Sequence, residues 1–334
     1  MGIVTKQHSR IFTAGLCGAV ILIVLLGYYA AQVFTETEAD EEESPEAQPK
    51  VSILTSDALR DQSWGSLAFQ SKVLLEENHE ADIEIFPNLT TENLVDFRIE
   101  NEIGNGTDLL IGHGREFAES FSTYAQQYPD VEFVTLQGET TAENHTVYTF
   151  DITDAEVMAV AAAEKKSSTK RVGVLSKAGD WHGREHLEEA LAVRELDITI
   201  CHEEVESRND EEEALQALDL LLEQEIDVIY TRGNKFNSVI IDQAEEHDLY
   251  VIGFIDDQWY MAKDRVITSV VINVPYIYDR VMRNYLSEEG LPGGKQMLKM
   301  EEETYGITPL GPMFSLDEKK ELDAQFPEYD LIGD

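Results

Sequence analysis

From Lys50 onward the chain carries ten short apolar runs, most of them separated by a stretch of helical periodicity. "KVSILTS", "ADIEIF", "TDLLIGHG", "VEFVTLQG" and "HTVYTF" form a first set. "RVGVLSK", "DITIC", "DVIYTRG", "YVIGFID" and "VITSVV" form a second. Between them lie amphipathic segments such as "SLAFQSKVLLEENHE" and "DEEEALQALDLLLEQE". Short apolar strands alternating with helices specify βαβ units and parallel sheets, because a parallel strand needs a crossover to return. Two such sets in sequence predict an α/β chain of two doubly wound lobes with a cleft between them. The expected bounds are 50–150 for lobe 1, completed by about 256–300, and 151–255 for lobe 2, completed by about 301–334. The turn-rich "LPGGKQ" and "ITPLGPM" close the chain.

Ahead of this lies a different kind of segment. Lys6, His8 and Arg10 precede "IFTAGLCGAVILIVLLGYYAAQVF", which has no charge and is long enough to span a bilayer as a helix. Tyr28 and Tyr29 stand toward its outer end, where amphipathic aromatics favour the interface. The acidic "TETEADEEESPE" follows. This pattern predicts a cytoplasmic N-terminus at 1–10, an anchor at 11–34, a solvated acidic linker at 35–49 and the bulk outside the cell membrane. A cleaved signal peptide is the alternative, but the apolar run is long for one and "YYAA" poorly matches a cleavage site.

Charge narrows the partners. With 66 acidic residues against 25 basic, the formal net charge is -41. Such a surface repels phosphate backbones, which argues against direct nucleic-acid binding. Of the two cysteines, Cys17 lies within the expected anchor and Cys201 far away in the globular part, so the membrane keeps them apart and no disulfide is implied.

Ligands of open parallel sheets bind beyond the carboxyl ends of the strands. There the sequence offers several clusters. "ALRDQSWGSLAF" groups Asp61, Gln62 and Trp64 after the first run, and a tryptophan in a loop suits stacking on a flat ring. It also suits local packing onto the next helix. "GHGREF" places His113 and Gly114 where a glycine turn can present backbone N–H groups, or simply make the turn. "TRGNKFNS", with Gly233 and Asn237, is its counterpart in the second lobe. Neither loop has the spacing of a nucleotide phosphate fingerprint. "VIGFIDDQ" is a buried strand running into Asp256, Asp257 and Gln258.

"HGREH" matches H-x-x-E-H, in which His182 and His186 could share zinc with Glu185 as general base. The segment reads equally as the start of a crossover helix after "AGDW", and a zinc hydrolase is the less favoured alternative. Asn88, Asn105 and Asn144 begin N-x-T sequons and suggest surface turns.

From about residue 50 the chain resembles the BMP family, the basic membrane lipoproteins and purine-nucleoside-binding proteins of ABC transporters, and within it the Med-type competence regulators. The resemblance is carried by "DQSWGSLAF", "DLLIGHGREFAESFSTYAQQYPDVEFV", "DVIYTRGNKFNSVIIDQAEEHDLYVIGFIDDQ" and "VITSVVINV". It implies a type I periplasmic-binding-protein fold of two Rossmann-like lobes. In nucleoside-binding members the strand ends in G-V-D-x-D-Q, whose first aspartate holds the ribose. That position is Ile255 here, while Asp257 and Gln258 keep the second half. The family lysine of S-V-V-K-N-V falls on Ile272, the asparagine after the first-loop aromatic on Gly65, and a second-lobe aromatic on Arg208.

The sequence thus predicts a membrane-anchored bacterial solute-binding-like protein without catalysis and with no cofactor. Its cleft wall is expected to hold Asp61, Gln62, Trp64, His113, Gly114, Trp181, Gly233, Asn237, Asp257 and Gln258. The expected partners are a small-molecule ligand, nucleoside-like or altered, and an ABC permease or a membrane regulatory partner. Med-like indirect action on transcription is the alternative.

Overall fold

The structure is a computed structural model that describes residues 48–60, 63–181 and 183–327. Among these residues the strands are β1 (Lys50–Leu54), β2 (Asp82–Phe86), β3 (Leu109–Gly112), β4 (Glu132–Leu136), β5 (His145–Phe150) and β6 (Arg171–Lys177). They continue with β7 (Thr199–Val205), β8 (Val228–Arg232), β9 (Tyr250–Ile255), β10 (Val266–Ile272), β11 (Gly294–Leu298) and β12 (Tyr305–Ile307). All ten apolar runs are strands. The predicted anchor at 11–34 lies outside the described residues. Among those described, no helix is long and apolar enough to cross a membrane.

Alternation along each strand builds two cores per sheet. Val51 and Ile53 of β1, Leu109 and Ile111 of β3, and Val134 of β4 join one apolar cluster. Their neighbours Leu54, Leu110 and Phe133 join another on the opposite face. In the second sheet Val172, Val228 and Ile252 face one cluster, while Ile229 and Val251 face the other. This period of two, apolar on both faces, is what buried parallel strands require.

The strands form two six-stranded sheets, ordered β11-β5-β4-β3-β1-β2 and β12-β10-β9-β8-β6-β7. Every pairing is parallel except β10 with β12. The strand order reverses beside β1 in the first sheet and beside β6 in the second, which places a switch-point crevice at the carboxyl ends of both.

The chain passes between the sheets three times. It leaves β5 through Asp151 and Ile152 into the helix Thr153–Lys166, whose residues Ala155–Ala163 are all buried. Asn273 links β10 to the helix Val274–Tyr285, and residues 299–304 link β11 to β12. The last two passages are fastened together: Asn273 N–H donates to Thr304 O at 2.8 Å and its Nδ2 to Glu303 O at 3.2 Å. The segment 256–300, expected to complete lobe 1, is therefore divided. β10 pairs in the second sheet, and only the helix Val274–Tyr285 and β11 return to the first. β11 and β12 escape the sequence pattern because "GKQML" is a half-exposed edge strand and "YGI" has three residues.

Candidate functional site

A cavity of about 550 Å³ opens at the carboxyl ends of the strands, with walls from both sheets. The first sheet contributes Ser56 and Asp57 after β1, Thr90 and Thr91 after β2, and Arg115 and Glu116 after β3. The second contributes Lys177 and Asp180 at the end of β6, and Arg208 and Asn209 after β7. Asn234 ties the two walls together, donating from Nδ2 to Asp57 Oδ1 at 3.1 Å and from its N–H to Arg208 O at 3.1 Å. Asp180 receives Arg208 Nε at 2.5 Å and stands 3.5 Å from Lys177 Nζ. Ser56 Oγ donates to Glu116 Oε1 at 2.5 Å. No aromatic side chain lines the cavity among the described residues.

The sequence-predicted site residues fall elsewhere. Asp61 and Gln62 lie outside the described residues. Trp64, read either as a loop ring free to stack or as packing locally onto the next helix, is the first residue of the helix Trp64–Asn78 and is 8 % exposed. It is locked to His113: Trp64 Nε1 donates to His113 O at 2.9 Å, and His113 Nε2 lies 2.7 Å from Trp64 O. A carbonyl only accepts, so Nε2 carries the ring proton and Nδ1 accepts from Tyr278 OH at 2.7 Å. Burial holds this imidazole neutral and lowers its pKa to about 4. The glycine turn exists for a conformational reason: Gly114 has φ +142°, which side chains rarely adopt.

In the second lobe Asn237 fastens the loop after β8. Its Oδ1 accepts from Thr231 Oγ1 at 2.6 Å and Gly233 N–H at 2.8 Å, and its Nδ2 donates to Gly233 O at 3.0 Å. A Cβ on Gly233 would stand 2.3 Å from the Phe236 ring. Trp181 is buried beside Arg232, whose guanidinium lies 5.2 Å from its ring, 4.9 Å from Phe254 and 5.6 Å from Tyr230. Arg232 Nε reaches Glu156 Oε1 at 2.9 Å, and Tyr230 OH donates to the same oxygen at 3.0 Å. Burial pushes the Glu156 carboxyl up, and the Arg232 charge opposes it. This is an ion pair withdrawn from solvent at the end of β8.

The strand "VIGFIDDQ" ends in an unusual backbone. Ile255 has φ +77°, a region that a β-branched residue enters at a cost of about 1–3 kcal/mol. Its side chain is buried in the same apolar cluster as Ile272, Leu67 and Tyr278. Gln258 is buried, its N–H donating to Ser269 Oγ at 3.1 Å and its Oε1 accepting from Phe254 N–H at 3.1 Å. Asp257 is exposed and edges a separate cavity of about 360 Å³ that also touches Ile255 and Ile272.

Of the eight described residues expected in the cleft wall, none lines the larger cavity. The structure does bring Trp64 to His113, and Gly233 to Asn237. The residues that do line it, such as Asp57, Arg115, Asp180 and Arg208, sit within a few positions of a strand end. That rule of position was available in the sequence. A filter on aromatics and glycines passes over these charged neighbours. For the zinc alternative, His182 lies outside the described residues. Glu185 and His186 are exposed at the start of the helix Arg184–Val193, and no three potential ligands gather among the described residues.

Comparison with known proteins fits this architecture. The Bmp family, described as ABC transporter substrate-binding protein PnrA-like, matches residues 48–328. Transcriptional activator protein Med of Bacillus subtilis is 24% identical over 285 residues, which are 85% of this chain and 90% of that protein. The crystal structure of a transcriptional activator of the comK gene from Bacillus halodurans superposes with a TM-score of 0.74 at 22% identity, covering 82% of this chain and 95% of that one. An ABC transporter solute-binding protein from Conexibacter woesei gives 0.67 at 18% identity, covering 85% and 98%.

Proposed function

We propose, from the premise that this chain belongs to the Bmp family of PnrA-like substrate-binding proteins, that it captures a small solute between its two sheets and does so without an ordinary nucleoside site. The observation that carries the reading is the cavity of about 550 Å³ walled by strand ends of both sheets, crossed by the Asn234–Asp57 bond. A solute held by both walls favours the closed arrangement of the lobes. That closure is a signal which a membrane partner, permease or regulator, can read. We further infer that residues 11–34 anchor the chain with its bulk outside the cell membrane, as their uncharged apolar run supports.

The nucleoside site is read as remodelled on two grounds. Ile255 and Ile272 stand where nucleoside-binding relatives of the resemblance carry an aspartate and a lysine, and both are buried among apolar side chains. Those two isoleucines edge the smaller cavity, and the larger one, to which neither belongs, lacks an aromatic platform for a base among its described lining residues. Each charge-assisted hydrogen bond lost costs about 1.5–3 kcal/mol. Two such losses weaken binding by roughly a hundredfold or more. Calorimetric titration of the folded chain with purine and pyrimidine nucleosides is expected to give no heat at micromolar concentrations. Binding at micromolar affinity or better would mean that other groups replace the lost ones, and the remodelled reading would fall.

The likeness to Med of Bacillus subtilis favours a regulatory over a transport role. The charge of -41 argues that any effect on transcription is indirect, through a partner rather than through DNA.

A further inference from the structure

The walls of the cleft differ in charge. Among the described residues, Asp57, Glu116, Glu119 and Glu92 stand on the side of the first sheet, with Arg115 as the one cation. On the side of the second, Lys177 and Arg208 converge on a single carboxylate, Asp180. One wall therefore carries formal charge -3 and the other +1 by this count of lining residues. Acid excess alone would reflect the composition of the whole chain, with its 66 acids. The segregation by wall is not explained that way, nor is the gathering of three cations in one cavity. Glu92 stands in the first turn of a helix, where the dipole already favours it, so the weight rests on Asp57 and Glu116. Both are held in place, Asp57 by Asn234 Nδ2 and Glu116 by Ser56 Oγ.

We propose that the solute taken by this cleft is a small, non-aromatic zwitterion with positive charge in excess, of the class of amino acids that carry a second amino or guanidinium group. The inference rests on the cleft-binding reading above and names the chemistry of its ligand. The carboxylate of the solute faces Lys177 and Arg208, which among the described residues converge on Asp180. Its ammonium groups face Asp57 and Glu116. Charged ends gripped by opposite walls make binding and closure one event, since neither wall alone satisfies both ends. A cavity of about 550 Å³ is within the range of small-molecule sites and has room for such a solute. A flat base finds no ring to stack upon.

The test uses the full chain, titrated calorimetrically with L-arginine, L-lysine, L-citrulline, D-ribose and adenosine. L-citrulline has the shape of arginine without the side-chain charge. The expected result is heat with a basic amino acid and at least tenfold weaker binding of L-citrulline. Arg208→Ala and Glu116→Gln should each weaken the basic amino acid at least tenfold while the thermal midpoint without ligand stays close to that of the parent. Equal affinity for L-citrulline and L-arginine, or indifference to both substitutions, overturns the proposal. Binding of a neutral solute that Arg208→Ala abolishes also overturns it, yet leaves cleft binding standing. Silence from all five solutes overturns it as well, and the cleft reading is then decided by whether any other solute is retained.

Discussion

Replacing Glu156 by alanine is expected to lower the unfolding free energy by about 3–5 kcal/mol, because it strands the Arg232 guanidinium without its counter-ion. Arg232 is 9 % exposed and Glu156 1 %, so water cannot take the place of the lost carboxylate. The rings of Trp181, Phe254 and Tyr230 around the guanidinium soften the loss but cannot neutralise the charge. Tyr230 OH also loses its acceptor. Urea denaturation measures the effect as a lower midpoint at constant slope. The double variant Glu156→Ala with Arg232→Met should recover much of the loss, since a buried pair replaced by apolar groups is often neutral. A single-variant loss below about 1 kcal/mol would show that the pair is not the buried interaction described here.

Acidification from pH 7.5 to pH 4.5 is expected to destabilise the protein steeply, and two histidines are the cause. Burial lowers the pKa of His113 and of His145 from 6.5 to about 4. The unfolded chain therefore binds protons between pH 6.5 and 4 that the folded one refuses. Their stabilisation is complete above pH 6.5 and is lost as pH falls toward 4. At 1.36 kcal/mol per pH unit, each contributes on the order of 2–3 kcal/mol across that window. Protonated His113 would also set a second donor against Tyr278 OH, and the hydroxyl would have to turn its proton away. Glu156, pushed up by burial, works against this slope. Carboxylates held low do not interfere: Glu318, at about 2, loses its contribution only below pH 4.5. The check is the urea midpoint at both pH values for the parent and for His113→Gln. The variant should be less stable at pH 7.5 and lose less on acidification. An unchanged pH slope in the variant would contradict the assignment.

The fold was legible in the sequence wherever apolar side chains decide it. A buried parallel strand must be apolar on both faces, so "RVGVLSK" and "YVIGFID" declare themselves without reference to the rest of the chain. β11 and β12 were not legible. Their placement depends on the edges of sheets laid down by residues more than 30 positions earlier, and neither segment carries an apolar run. The site was less legible still. Trp64 and His113 look like ligand contacts because polar aromatics at strand ends often are. Whether they face solvent depends on Tyr278, which arrives from a helix more than 160 residues later and completes their hydrogen bonds. Asn237 likewise spends its amide on the loop beside it. The charged residues that line the cavity have no periodicity and no motif. Only the position of the strand ends, and the meeting of two sheets, brings Asp57 and Arg208 into one cleft.

A cleft that holds one small solute is detectable by native mass spectrometry. The folded full chain is incubated with the small-molecule fraction of a bacterial culture and measured beside the variant Ser207→Trp, which fills the cavity wall. The parent is expected to carry a single adduct of one solute per chain, with a mass that does not correspond to a nucleoside, and the variant none. An adduct of equal abundance on both chains, or none on the parent, would contradict solute capture in this cleft.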